Sequence, residues 1–105
     1  MVKELATLDE YNTAIATPDK LVVVDFTASW CPPCQAIKPH FEEWGNTYAE
    51  KCLLVKVDVD ANAEAAQAAG IQAMPTFKFF KGGQEVHMIR GADINGVKTK
   101  IEELQ

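Results

Sequence analysis

The chain has 105 residues, room for one domain around one hydrophobic core, and 48% of them are apolar. Fifteen acidic residues against ten basic ones give a net charge of −5 with no basic cluster, which argues against nucleic acid or an anionic membrane as partner. Three cysteines do not make a disulfide-stapled secreted scaffold, and Met1–Leu5 lacks a basic region followed by an apolar stretch, so a reducing, cytoplasmic setting is expected.

In chain order, Val2 to Leu5 suits a short first strand. Thr7 followed by Glu10 reads as a capping box that opens a helix through Tyr11 and Ile15, closed by Pro18 and Asp19. Leu21 to Thr27 is apolar and β-branched, as a buried strand should be. A long helix follows from about Pro33 to Ala49, because Cys34, Ile37, Phe41, Trp44 and Tyr48 recur on one face. Pro39 should kink it. Leu53 to Asp58 is again a mostly apolar strand, and strand–helix–strand at this spacing predicts a right-handed crossover between parallel strands. Asp60 can cap an alanine-rich helix over Asn62 to Ala69, which Gly70 ends. Thr76 to Lys81 and Gln84 to Ile89 flank Gly82-Gly83, a tight hairpin signal. After Gly91, Asp93 caps a last helix with Ile94, Val97, Ile101 and Leu104 on one face, weakened at Gly96 by about 1 kcal/mol against alanine. The layout predicts an α/β domain over residues 1–105, a mixed sheet with helices on both faces.

Cys31 and Cys34 stand where a buried strand ends and an amphipathic helix begins. A helix start carries partial positive charge and free N–H groups, which favour an anion such as a thiolate. Two intervening residues place the β-carbons about 5–6 Å apart on a helical turn, close to disulfide reach. The pair therefore reads as a dithiol that opens and closes. A zinc site needs further ligands, and Cys52, His40 and His87 are not paired at a ligand spacing. A purely structural disulfide across so short a loop would constrain the unfolded chain little. Asp25 is an acid inside an apolar strand. Either strand alternation turns it to solvent, or it is a desolvated acid with a raised pKa able to exchange a proton near neutrality. Lys56 in the neighbouring strand is its candidate partner, or a solvated edge lysine. Cys52 reads as a half-buried bystander.

The segment Asp25-Phe26-Thr27-Ala28-Ser29-Trp30-Cys31-Pro32-Pro33-Cys34, with Met74-Pro75-Thr76, Gly83, Gly91 and Pro39, resembles the thioredoxin family in its eukaryotic branch, over essentially the whole chain. The resemblance implies the thioredoxin fold and a protein-disulfide reductase acting in electron transport and cell redox homeostasis. Cys31 would be the nucleophile, Cys34 the resolving thiol, and Asp25 with Lys56 the buried proton-transfer group. Pro75 would be cis, and Trp30, Met74, Pro75, Gly91 and Ala92, with Pro32 and Pro33 between the cysteines, would meet the substrate chain. The family needs no bound cofactor or metal; electrons would come from NADPH through a separate flavin-dependent thioredoxin reductase, and the chain should act as a monomer on disulfide-containing proteins. Three departures stand out: Pro32 in place of the usual glycine, Gln35 in place of a basic residue, and Arg90 before Gly91. Pro33 suits the first helical position, leaving the N–H groups of Cys34 and Gln35 to point at the Cys31 sulfur. A binding module using the same apolar surface with idle cysteines is the competing reading, and isomerase or oxidant behaviour a third.

Overall fold

The computed structural model describes residues 2–105; Met1, counted in the domain expected from the sequence, lies outside the described residues. In chain order the elements are β1 (Lys3–Glu4), α1 (Leu8–Ile15), β2 (Leu21–Thr27), α2 (Pro32–Thr47), β3 (Cys52–Asp58), α3 (Ala63–Ala68), β4 (Thr76–Lys81), β5 (Gln84–Arg90) and α4 (Ile94–Leu104). The strands form one mixed sheet in the order β1-β3-β2-β4-β5. β3 runs parallel to β1 and β2, while β4 runs antiparallel to β2 and β5.

Period-two alternation along β2 divides the interior into two cores. Leu21 and Val23 point to the face covered by α2 and α4, where Ile37, Phe41, Trp44, Val97 and Ile101 bury themselves with Phe77 and Phe79. Val22, Val24 and Phe26 point to the other face, against Tyr11 and Ala14 of α1 and Ala65 of α3. Helices thus lie on both faces of the sheet. Each fully buried aliphatic or aromatic side chain contributes about 1.5–3 kcal/mol, so β2, buried on both sides, is the strand the fold can least spare.

The cap residues set the helix ends. Thr7 Oγ1 accepts the Glu10 N–H at 3.1 Å, and the Glu10 carboxylate reaches back to the Ala6 N–H. Asp60 does not cap α3. The Asp58 carboxylate takes the N–H groups of Asp60 and Ala61 and folds the chain there, so Asn62 is the cap and the helix starts at Ala63. Asn62 is buried; its Oδ1 accepts from Ala65 and its Nδ2 donates to the Leu5 carbonyl, tying α3 to the end of the first strand. Gly82 and Gly83, at φ 59° and 80°, make the hairpin turn whose twist matches its strands. Gly96 has a local reason to be glycine: a β-carbon there would overlap the Asp93 carboxylate that caps α4.

Candidate active site

β2 runs out at Thr27, and a short loop delivers Cys31 to the start of α2. Cys31 and Cys34 form a disulfide with their Cα atoms 5.3 Å apart. Both sulfur-bearing residues are buried, Cys34 the deeper at 1% exposure against 5% for Cys31. Cys31 is the N-cap of α2, in extended conformation, and its Sγ accepts the Cys34 N–H at 3.3 Å. Serine or aspartate usually fills that role. The Cys31 N–H donates to the Ala28 carbonyl, and Pro32 and Pro33 have no N–H to offer. All four donors that a helix start leaves unpaired are therefore either absent or used.

Two expectations are corrected here. The helix begins at Pro32 rather than Pro33, because each proline occupies a first-turn position where a missing N–H is harmless and its fixed φ suits the helix. The Gln35 N–H does not turn to the sulfur: with Cys31 as cap it makes the first regular helical bond, to the Cys31 carbonyl at 3.1 Å. The Gln35 side chain instead donates to the Ala28 carbonyl at 3.1 Å, pinning the helix start to the end of the preceding loop.

Around the cysteines the surface is shallow. Trp30 is 63% exposed, and its indole N–H donates to the Asp60 carboxylate at 2.7 Å. The Met74–Pro75 bond is cis, the Met74 carbonyl oxygen lies 3.7 Å from the Cys31 sulfur, and Met74 packs on Ala28, Cys31 and Cys34. The Gly91 N–H donates to the Pro75 carbonyl at 2.8 Å with φ at 94°, a conformation that side-chain-bearing residues rarely adopt. Pro32, Pro33 and Arg90 are exposed. Ala92 is different: it is half-buried and packs against the core between the sheet and α4. Asp60, separated by thirty residues from the tryptophan it holds, carried no sequence signal for that contact.

Asp25 shares the odd-numbered face of β2 with Leu21 and Val23. Alternation turns it not to water but beneath α2, and it is only 4% exposed. Its Oδ1 has no hydrogen-bond partner. Burial pushes its pKa up to about 7 from 3.8, opposed in part by Lys56, which stands directly beside it in β3. The Lys56 ammonium, in turn, lies 3.8 Å from the Glu42 carboxylate of α2. A cavity of about 150 Å³ adjoins Asp25, lined among others by Ser29, Gln35, Lys38 and Lys56, polar and large enough to admit water. Cys52, at the opposite end of the sheet, is a free thiol. It is fully buried, 3% exposed, rather than half-buried, and burial raises its pKa.

Residues 2–103 match the protein-family model described as Thioredoxin. The chain is 47% identical over 102 residues to Thioredoxin-1 of Schizosaccharomyces pombe, covering 97% of each chain. It is 44% identical over 101 residues to Thioredoxin-2 of Saccharomyces cerevisiae, covering 96% of each. Among solved structures, Plasmodium falciparum thioredoxin superposes with a TM-score of 0.93 at 39% identity, over 99% of this chain and all of the other.

Proposed function

Since this chain belongs to the thioredoxin family and is a thiol-disulfide oxidoreductase with an intact cysteine pair, we propose that Cys31 attacks substrate disulfides, Cys34 resolves the product and Asp25 moves the proton between the two steps. The observation that carries this reading is the Cys34 N–H aimed at the Cys31 sulfur at the positive end of α2. A charged acceptor makes that hydrogen bond stronger, so it favours the Cys31 thiolate over the thiol.

In the reduced protein the Cys31 thiolate attacks one sulfur of a substrate disulfide; a mixed disulfide forms and one substrate thiolate leaves. Cys34, deeper and shielded, then gives its proton to the Asp25 carboxylate and attacks the Cys31 sulfur. The mixed disulfide breaks, the second substrate thiolate leaves, and the Cys31–Cys34 disulfide remains. A base with a pKa near 7 is matched to that transfer at neutral pH. Lys56 tunes it from the neighbouring strand. Trp30, Met74 and Gly91, rimmed by Pro32 and Pro33, form the platform for an extended substrate segment, and the buried Pro75 and half-buried Ala92 support it from below.

Two electrons from NADPH, passed through a flavin-containing thioredoxin reductase, would reopen the disulfide. The protein would then act as a monomeric cytoplasmic carrier in electron transport and cell redox homeostasis. The test is insulin reduction with a dithiol reductant. Cys31→Ser should abolish turnover, whereas Cys34→Ser should still attack and accumulate a mixed disulfide visible by mass. Normal turnover by Cys34→Ser, or trapping by Cys31→Ser, would reverse the roles, and wild-type inactivity would favour a binding module.

A further inference from the structure

Lys56 is contested. Across the sheet, Glu4, Lys56 and Asp25 stand in one row on β1, β3 and β2, with carboxylates on either side of the lysine. Above the row, Glu42 of α2 reaches down. Its Oε2 lies 3.8 Å from the Lys56 ammonium, and its Oε1 accepts the Val2 N–H at 3.4 Å, which fixes the carboxylate from its other side. The Asp25 Oδ1 meanwhile is buried without a partner. The lysine beside the buried acid in the sheet is thus engaged by a different carboxylate, one with 37% side-chain exposure.

We propose that Glu42 is a positioning residue for the thiol–disulfide chemistry: it holds the Lys56 ammonium back from Asp25, so that Asp25 remains a free proton acceptor instead of a permanently paired carboxylate. The proposal rests on the reading of Asp25 as the proton-transfer group. A buried carboxylate that captures a lysine becomes a weak base, because the ion pair favours its charged form. Glu42 prevents that capture without touching the sulfur atoms. The other charged groups around Asp25 are Lys38 of α2, Asp58 of β3 and Glu4 of β1, all on the cavity wall beside it. Glu4 is exposed and makes no ion pair with Lys56 among the described residues, so it should not substitute for Glu42.

The experiment is a ¹³C titration of the Asp25 carboxyl in the oxidised protein, for wild type, Glu42→Gln, Lys56→Met and the double variant. Glu42→Gln frees Lys56 and should lower the Asp25 midpoint by roughly half a unit or more; in the Lys56→Met background the same change should move it by less than about 0.2 unit. Glu4→Gln serves as the control that leaves it in place. An unchanged midpoint in Glu42→Gln, or an equal shift with and without Lys56, overturns the proposal. The pH profile of insulin reduction separates the two layers. If the Asp25 midpoint moves and the acid limb of the profile moves with it, both hold. If the midpoint moves and the profile does not, Glu42 still governs Asp25, but the proton-transfer role of Asp25 falls.

Discussion

Replacing Asp25 by asparagine should stabilise the protein, and the gain should appear only as pH rises. The native carboxyl titrates at about 7 and the unfolded one at 3.8. Between these values the unfolded chain has lost its proton while the folded one keeps it, so stability falls with rising pH by about 1.4 kcal/mol per unit. Over the three-unit window the accumulated loss is about 4 kcal/mol, level again above pH 7. Asparagine removes that loss. Its amide, however, brings N–H donors to a buried position where the existing Oδ1 has no partner, which costs about 1–3 kcal/mol unless water in the cavity receives them. The net expectation is a variant no more stable than wild type near pH 4 and about 1–3 kcal/mol more stable at pH 8. Guanidinium unfolding of both oxidised proteins at several pH values gives the difference curve, in which every other titrating group cancels. A difference that stays flat between pH 4 and 8, or that favours the wild type at pH 8, would refute the desolvated-acid argument.

Further expectations concern the starts of two helices. Pro32→Gly should keep activity and shift the reduction potential by no more than roughly 30–60 mV in a glutathione buffer titration, because proline stiffness acts on both redox states and the Cys34 N–H contact does not involve Pro32; a larger shift would mean that Pro32 sets the poise. Gly96→Ala should bring almost no gain in melting experiments, since the roughly 1 kcal/mol of helix propensity is offset by a disturbed Asp93 cap of about the same worth. In an Asp93→Ala background the same substitution should recover its full 1 kcal/mol or so, and failure to do so would show that the cap is not what makes glycine preferable there.

The sequence made legible whatever depends on neighbours along the chain. The apolar runs of β2 and β3, the Thr7 and Asp93 caps and the Gly82-Gly83 turn each carry a local physical signature, and they lie where that signature places them. Less legible was anything set by what lies overhead. Asp25 is ambiguous in sequence because alternation groups it with Leu21 and Val23 but does not say what covers that face; α2 covers it, so the acid is buried along with both faces of β2. Asp60 and Asn62 are both competent caps, and the choice between them is made by the Asp58 side chain. The Glu42–Lys56 pair joins a helix to a strand fourteen residues away, and no short-range pattern marks it.

A helix start with N–H groups to spare is a general trap for oxyanions. The start of α2 is not one, since two prolines supply no donors, one N–H is spent on Ala28 and the remaining one on the sulfur. Phosphate, sulfate and chloride therefore find no free backbone donor at this helix start. Rates measured in phosphate and in a zwitterionic buffer of equal ionic strength should superimpose.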